Sequence, residues 1–96
     1  MSALGLHRLT VPDTAQVFRL FADESRLRIM QLLINQGEMH VAGLCQALTQ
    51  SQPAVSHHLT LLRMGRLVST RRSGRNIFYR VSAAIVPDLL QLTCGQ

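Results

Sequence analysis

A chain of 96 residues with 47% hydrophobic content is long enough for one folded domain with a thin core, and too hydrophobic for a disordered chain. No apolar run reaches the roughly 18 residues of a membrane span, and the N-terminus lacks a basic segment followed by a long apolar one. We therefore expect a single cytoplasmic domain over residues 1–96, without a membrane partner. Its two cysteines are too few for a disulfide framework and should be thiols.

The charged residues are distributed unevenly along the chain. The formal net charge is +5, and every basic residue is an arginine. No acidic residue occurs from Met39 to Pro87, whereas that stretch holds Arg63, Arg66, Arg71, Arg72, Arg75 and Arg80. A block of one sign on a folded domain is typical of proteins that bind a polyanion, and the arginine head group donates paired hydrogen bonds to phosphate. A basic surface that serves only solubility is the open alternative.

Periodicity predicts helices through the first two thirds of the sequence. A first helix is expected over residues 12–22, and Asp23 should cap a second, apolar helix that runs to about Gln36. Gly37 is placed to end that helix in a left-handed conformation. The apolar spacing over residues 41–48 predicts a short third helix. A tight turn then leads to Ser51, a helix cap, and to a fourth helix that ends near Gly65.

The fourth helix has two different faces. Val55, Leu59 and Leu62 form an apolar stripe, with His58 at its edge. The opposite arc carries short hydrogen-bonding side chains and one arginine: Gln52, Ser56, His57, Thr60 and Arg63. Such a helix can enter the DNA major groove, where glutamine reads adenine and serine, threonine and histidine contact bases or phosphates. Arg63, near the helix end, is expected to contact phosphate.

After Gly65 the apolar period changes from 3.6 to 2. Residues 67–72 and 76–81 alternate and are rich in β-branched and aromatic side chains, with turn-forming residues between them, which predicts a β-hairpin. Its tip carries Arg72 and Arg75, which should reach the DNA backbone or the adjacent minor groove. A last helix is expected over residues 82–93. The fold class is therefore mainly α with a small β-hairpin, a winged helix-turn-helix of about five helices.

The segment LCQALTQSQPAVSHHLTLLRMGRLVSTRRSGRNIFYRVS resembles the core of the ArsR/SmtB-type bacterial repressors, and FADESRLRIMQLL is similar to the opening of that family's second helix. The resemblance covers roughly residues 14–82. It implies a homodimer, paired through its first and last helices, that binds an inverted repeat in double-stranded operator DNA. It also implies that Gln52, Ser56 and His57 touch bases and phosphates, and that Arg71, Arg72 and Arg75 lie in the wing.

Members of this family usually release DNA when an effector binds, and many sense metals or metalloids. One family site uses Asp and His pairs on the last helix, which here offers Asp88 and no histidine. The arsenic-type site uses closely spaced cysteines on the third helix, where this chain has His40 and Cys45. A mixed site of these two residues lacks the further ligands that zinc needs. We expect neither a metal nor a cofactor, and a metal- or metalloid-responsive repressor is the alternative.

Cys45 and Cys94 are candidate redox residues, since some relatives sense oxidants with one thiol in the N-terminal half and one on the last helix. The competing interpretation makes Cys45 a small apolar core residue and Cys94 an exposed thiol. A small-molecule effector, or none, also stays open.

Two other classes of function compete with DNA binding. Catalysis would need Ser56 or Cys45 beside an oriented histidine, but adjacent residues on a helix point about 100° apart, and the middle of the chain has no carboxylate to orient the ring. We therefore do not expect an enzyme. The second competitor is a winged helix that binds an acidic protein partner. A preference for one DNA sequence over random DNA would distinguish a DNA-binding protein from this alternative.

Overall fold

Residues 11–82 form four helices and a three-stranded antiparallel sheet in the computed structural model, which describes side chains from Ala15 to Ser82. The elements in chain order are α1 (Val11–Phe21), α2 (Glu24–Gln36), β1 (Met39–His40), α3 (Val41–Leu48), α4 (Gln52–Met64), β2 (Val68–Ser73) and β3 (Asn76–Val81). All four helices and the hairpin predicted for this part of the chain are confirmed to within one or two residues. The predicted last helix lies outside the described residues beyond Ser82. Within the described part, no helix has the length and apolarity of a membrane span.

Local capping determines where the helices begin and end. Asp23 has extended backbone angles, and its carboxylate accepts a hydrogen bond of 3.0 Å from the Arg26 N–H, which confirms it as the cap of α2. Gly37 ends α2 with φ of +88°, positive as expected, but its ψ of −59° lies outside the left-handed helical region. Ser51 caps α4 by accepting from the Ala54 N–H at 3.3 Å. Thr49, in the left-handed conformation, turns the chain between α3 and α4.

The cap at Asp23 gives a testable dependence of stability on pH. The backbone hydrogen bond from Arg26 is the main cause that lowers the pKa of this carboxyl below 3.8. A lowered folded-state pKa stabilises the fold fully above the unfolded value, and this contribution disappears as pH falls through the folded value. Asp23→Ala should therefore lower the free energy of unfolding at pH 7 by about 0.5–2 kcal/mol. Urea titrations at pH 7 and at successively lower pH should show this deficit shrinking as the carboxyl becomes protonated in the folded state.

Asp23→Asn is the matched control for that experiment, because an amide oxygen still accepts from the helix N–H but carries no charge. It should lose less stability than Asp23→Ala at pH 7. Equal urea midpoints for Asp23→Ala and the unchanged protein at pH 7 would contradict the capping role.

The core lies where α2, α3 and α4 meet the base of the hairpin. The predicted stripe of Val55, Leu59 and Leu62 is confirmed, since none of these side chains is more than 1% exposed. It packs in one cluster with side chains from α1, α2, α3, the turn after α4 and the sheet: Val17, Leu20, Ile29, Met30, Leu33, Leu44, Leu48, Leu67, Val68 and Val81. Because full burial of one such side chain contributes about 1.5–3 kcal/mol, this stripe holds α4 in a fixed orientation.

The sheet order is β1-β3-β2, and β1 was not predicted from the sequence. The hairpin closes through Gly74 and Arg75, with Ser73 paired to Asn76. Gly74 has φ of +62° and Arg75 does not have a positive φ, which is the sign pattern of a type II′ turn. Because neighbouring strand residues point to opposite faces, Arg71 and Arg72 project from opposite sides of the hairpin.

Candidate nucleic-acid interface

The polar face predicted for α4 lies on the surface of the protein. Gln52, His57, Thr60 and Arg63 are exposed, and Ser56 is half-buried. The apolar stripe on the other side of the same helix is fully buried. The helix therefore presents its hydrogen-bonding side chains outward from a rigid support, which is the arrangement needed for reading base edges in a major groove.

Two of these side chains have their hydrogen-bonding capacity limited by their surroundings. The Thr60 hydroxyl donates to the Ser56 carbonyl at 2.9 Å, so toward a ligand it offers its methyl group and the lone pairs of its oxygen. Ser56 itself is half-buried. Gln52, at the first position of α4, and His57 are the exposed side chains that can both donate and accept.

The three predicted wing arginines are not equivalent. Arg72 and Arg75 are exposed at and near the tip of the hairpin. Arg71 donates two hydrogen bonds to the Glu38 carboxylate, from Nε at 3.0 Å and from Nη2 at 2.8 Å. These bonds lower the pKa of Glu38 and raise the pKa of Arg71, so both groups are charged at neutral pH. The structure thus brings Arg72 and Arg75 to one end of the wing and holds Arg71 against an acid.

Two residues in the first turn of α2, Ser25 and Arg26, contact α1, α4 and the turn before α4. The sequence did not predict these contacts. Arg26 donates from Nε to the Leu20 carbonyl at 2.8 Å, and its Nη1 lies 3.4 Å from His58 Nδ1 on α4. Since a guanidinium only donates, the histidine nitrogen is the acceptor. Gln50, in the turn before α4, donates to the Ser25 hydroxyl at 2.7 Å. No local pattern singles out Arg26, because Glu24 and Arg28 on the same helix are also charged.

The basic surface continues from α4 to the wing. Arg63, Arg66, Arg72, Arg75 and Arg80 are exposed, and the sequence has no acidic residue between them. Glu38 is the last acid before this stretch. The chain from α4 to the end of the wing therefore exposes these five arginines and no acid, on both faces of the hairpin, which favours a polyanionic ligand.

The positions of Cys45 and His40 favour structural roles over a redox or metal site. Cys45 is partly buried and packs against the core, as expected of an apolar position in α3. Cys94 lies outside the described residues, so the redox pair stays a prediction. Among residues that the structure describes, no group of three or more His, Cys, Asp or Glu side chains could hold a metal ion. His40 instead caps α3, with its Nδ1 accepting from the Gly43 N–H at 3.2 Å.

A short helix, a tight turn, a second helix anchored by one buried face and a hairpin with arginines at its tip define a winged helix-turn-helix. The family model for bacterial regulatory proteins of the arsR family matches residues 23–70, which include α2, α3 and α4. The chain belongs to this family, as the sequence resemblance predicted.

Relatives and solved structures agree with this assignment. The arsenical resistance operon repressor of Escherichia coli is 49% identical over 70 residues, which are 73% of this chain and 60% of that protein. The SmtB-homologue transcriptional repressor of Synechocystis is 47% identical over 75 residues, or 78% of this chain and 56% of that protein. The chain therefore spans little more than half the length of these relatives.

Among solved structures, a homodimeric winged helix-turn-helix DNA-binding domain of Mycobacterium bovis superposes with a TM-score of 0.78 at 29% identity. The superposition covers 99% of this chain and 85% of that chain, and the domain comes from a possible ArsR-family transcriptional regulator.

Proposed function

We propose that this protein is a sequence-specific DNA-binding transcriptional repressor of the ArsR/SmtB type, and that it acts in the cytoplasm without a catalytic role. The observation that carries the proposal is the exposed polar face of α4, from Gln52 to Arg63, on a helix whose opposite face is fully buried. Gln52 and His57 would read base edges, and Arg63, Arg72 and Arg75 would contact phosphates.

The proposed assembly is a homodimer that reads an inverted repeat. The related Mycobacterium bovis domain is homodimeric, and Phe18 on α1 leaves 54% of its surface exposed for a partner to cover. Pairing through the first and last helices would place two copies of α4 about 34 Å apart, one turn of DNA. The operator should therefore have two half-sites in opposite orientation.

The cysteines of the sequence bear on which effector this repressor responds to. The Escherichia coli relative is an arsenical resistance repressor, whereas this sequence holds two cysteines, Cys45 and Cys94, that are far apart along the chain. A switch between Cys45 and Cys94 would require their Cα atoms to approach within about 7 Å. A small-molecule effector and a metalloid bound by thiols of two subunits are the alternatives.

The experiment that tests DNA reading compares the upstream DNA of the gene with a random duplex, at one fixed salt concentration, by fluorescence anisotropy. Gln52→Ala and His57→Ala should each narrow the difference between specific and random DNA by about 5- to 150-fold, equivalent to about 1–3 kcal/mol. Arg75→Ala should weaken binding to both DNAs alike and lower the slope of log affinity against log salt by about one unit.

Gln31→Ala is the matched control, because Gln31 is an exposed glutamine on α2 rather than on α4. It should leave both affinities unchanged. If the α4 and wing variants behave like this control, the exposed arginines serve another partner, and a winged helix that binds an acidic protein becomes the better description.

A further inference from the structure

Four side chains connect the wing to the strand that precedes the helix-turn-helix, and we call them the wing anchor: Glu38, His40, Arg71 and Phe78. Arg71 binds Glu38 through two hydrogen bonds, and its guanidinium carbon lies 5.1 Å from the centre of the Phe78 ring. The Phe78 ring stacks on His40 with a centroid distance of 5.8 Å and an angle of 5° between the rings. His40 in turn caps α3.

The strand register explains why these side chains meet. His40 on β1 pairs with Phe78 on β3, and Phe78 pairs with Arg71 on β2. Directly opposed residues share one face of a sheet and contact each other across the strands. Because β1 has only two residues, its backbone pairing is brief, and the side-chain stack adds to the connection between β1 and the hairpin.

The chemistry of Arg71 differs from that of its neighbour. Its Nε and Nη2 already donate to a carboxylate, and a phosphate that approached this guanidinium would also meet the negative charge of Glu38. Arg72, one residue further, points to the opposite face of the hairpin and is exposed. Both arginines are exposed, so they differ in partner and direction: Arg71 is paired with a carboxylate, and Arg72 faces the other side of the hairpin.

We propose, on the basis of the DNA-binding function above, that Arg71 is a positioning residue that fixes the direction of the wing and does not itself bind phosphate. Glu38 and Phe78 hold it, and His40 transmits the position of the wing to the start of α3. The phosphate contacts of the wing then belong to Arg72 and Arg75. This proposal differs from the resemblance to the family, which groups Arg71 with Arg72 and Arg75 in the wing.

Salt dependence of DNA binding separates the two roles. Arg72→Gln should lower the slope of log affinity against log salt by about one unit, because one phosphate contact and its counterions are lost. Arg71→Gln should leave that slope unchanged while weakening binding about 2- to 5-fold, the size expected for an exposed ion pair. A slope that falls by a full unit in Arg71→Gln would overturn the proposal.

Exchange of the two charges provides a rescue test. The double variant Glu38→Arg with Arg71→Glu restores the ion pair in reverse and should bind DNA within about 2-fold of the unchanged protein, whereas Arg71→Glu alone should bind more weakly. If Arg71 contacts phosphate, the double variant will be as weak as Arg71→Glu, because a carboxylate at position 71 repels DNA in both. That result would overturn the proposal.

A measurement without DNA keeps this proposal distinct from the proposed function. In NMR spectra of the unliganded protein, the Arg71 Nε–H should exchange slowly with water and should lose that protection in Glu38→Gln but not in Arg72→Gln. An Arg71 signal that exchanges as fast as that of Arg72 would contradict the anchor. A protein that shows this protection but no preference for its upstream DNA would retain the anchor and refute the repressor.

Discussion

Leu62→Ala should lower the free energy of unfolding by about 2–5 kcal/mol, because the leucine is fully buried beneath α4 and its removal leaves a cavity in the core. Small domains have a total stability of about 5–15 kcal/mol, so this single change removes a large share of it. Urea denaturation followed by circular dichroism measures the effect. DNA affinity should fall with the folded fraction, since the buried stripe supports the polar face of the same helix.

Met64→Ala is the control for Leu62→Ala, because Met64 lies two residues further on the same helix and is 74% exposed. Its substitution should change stability by less than about 0.5 kcal/mol. Equal losses in the two variants would show that α4 is not anchored through the stripe that contains Leu62.

Gly65→Ala should cost about 1–3 kcal/mol through overpacking. A Cβ added at Gly65 would lie 2.5 Å from Leu20 Cδ1, and Leu20 is buried on α1, so its side chain has little room to move. The backbone at Gly65 has φ of −79°, which alanine adopts without strain, so any loss arises from contact rather than from conformation. Thermal or urea unfolding measures the difference.

A double-mutant cycle with Leu20→Ala identifies the source of that loss. In the Leu20→Ala background the opposing methyl group is absent, so Gly65→Ala should cost close to nothing or should fill part of the cavity. An unchanged cost in that background would mean that the contact between α1 and the end of α4 is not responsible.

The sequence predicted those features that depend on local patterns. The apolar stripe of α4 and the cap at Asp23 follow from helix periodicity and from capping chemistry, and both are confirmed. The helix end near Gly65 was also predicted, although the close approach of Leu20 that requires a small residue there was not. The roles of Gln52 and His57 toward DNA stay predictions.

Features that depend on contacts between distant residues were not predictable. The strand Met39–His40 is too short to show an alternating pattern, and it forms because β3 pairs with it. The contact between Arg26 and His58 joins residues 32 positions apart, and that between Glu38 and Arg71 joins residues 33 apart. A pattern within one segment carries no information about such partners, so the sequence placed Arg71 in the wing without indicating that Glu38 pairs with it.

The alternation of Arg71 and Arg72 across the hairpin limits how the wing can change in length. Adding one residue to each strand below the tip would extend the wing by about 3.3 Å and turn the tip side chains to the opposite face. Adding two residues to each strand would restore the original face at a greater reach. The length of the wing therefore determines the face to which its tip side chains point. Insertions that keep Arg72 on its present face come in steps of two residues per strand.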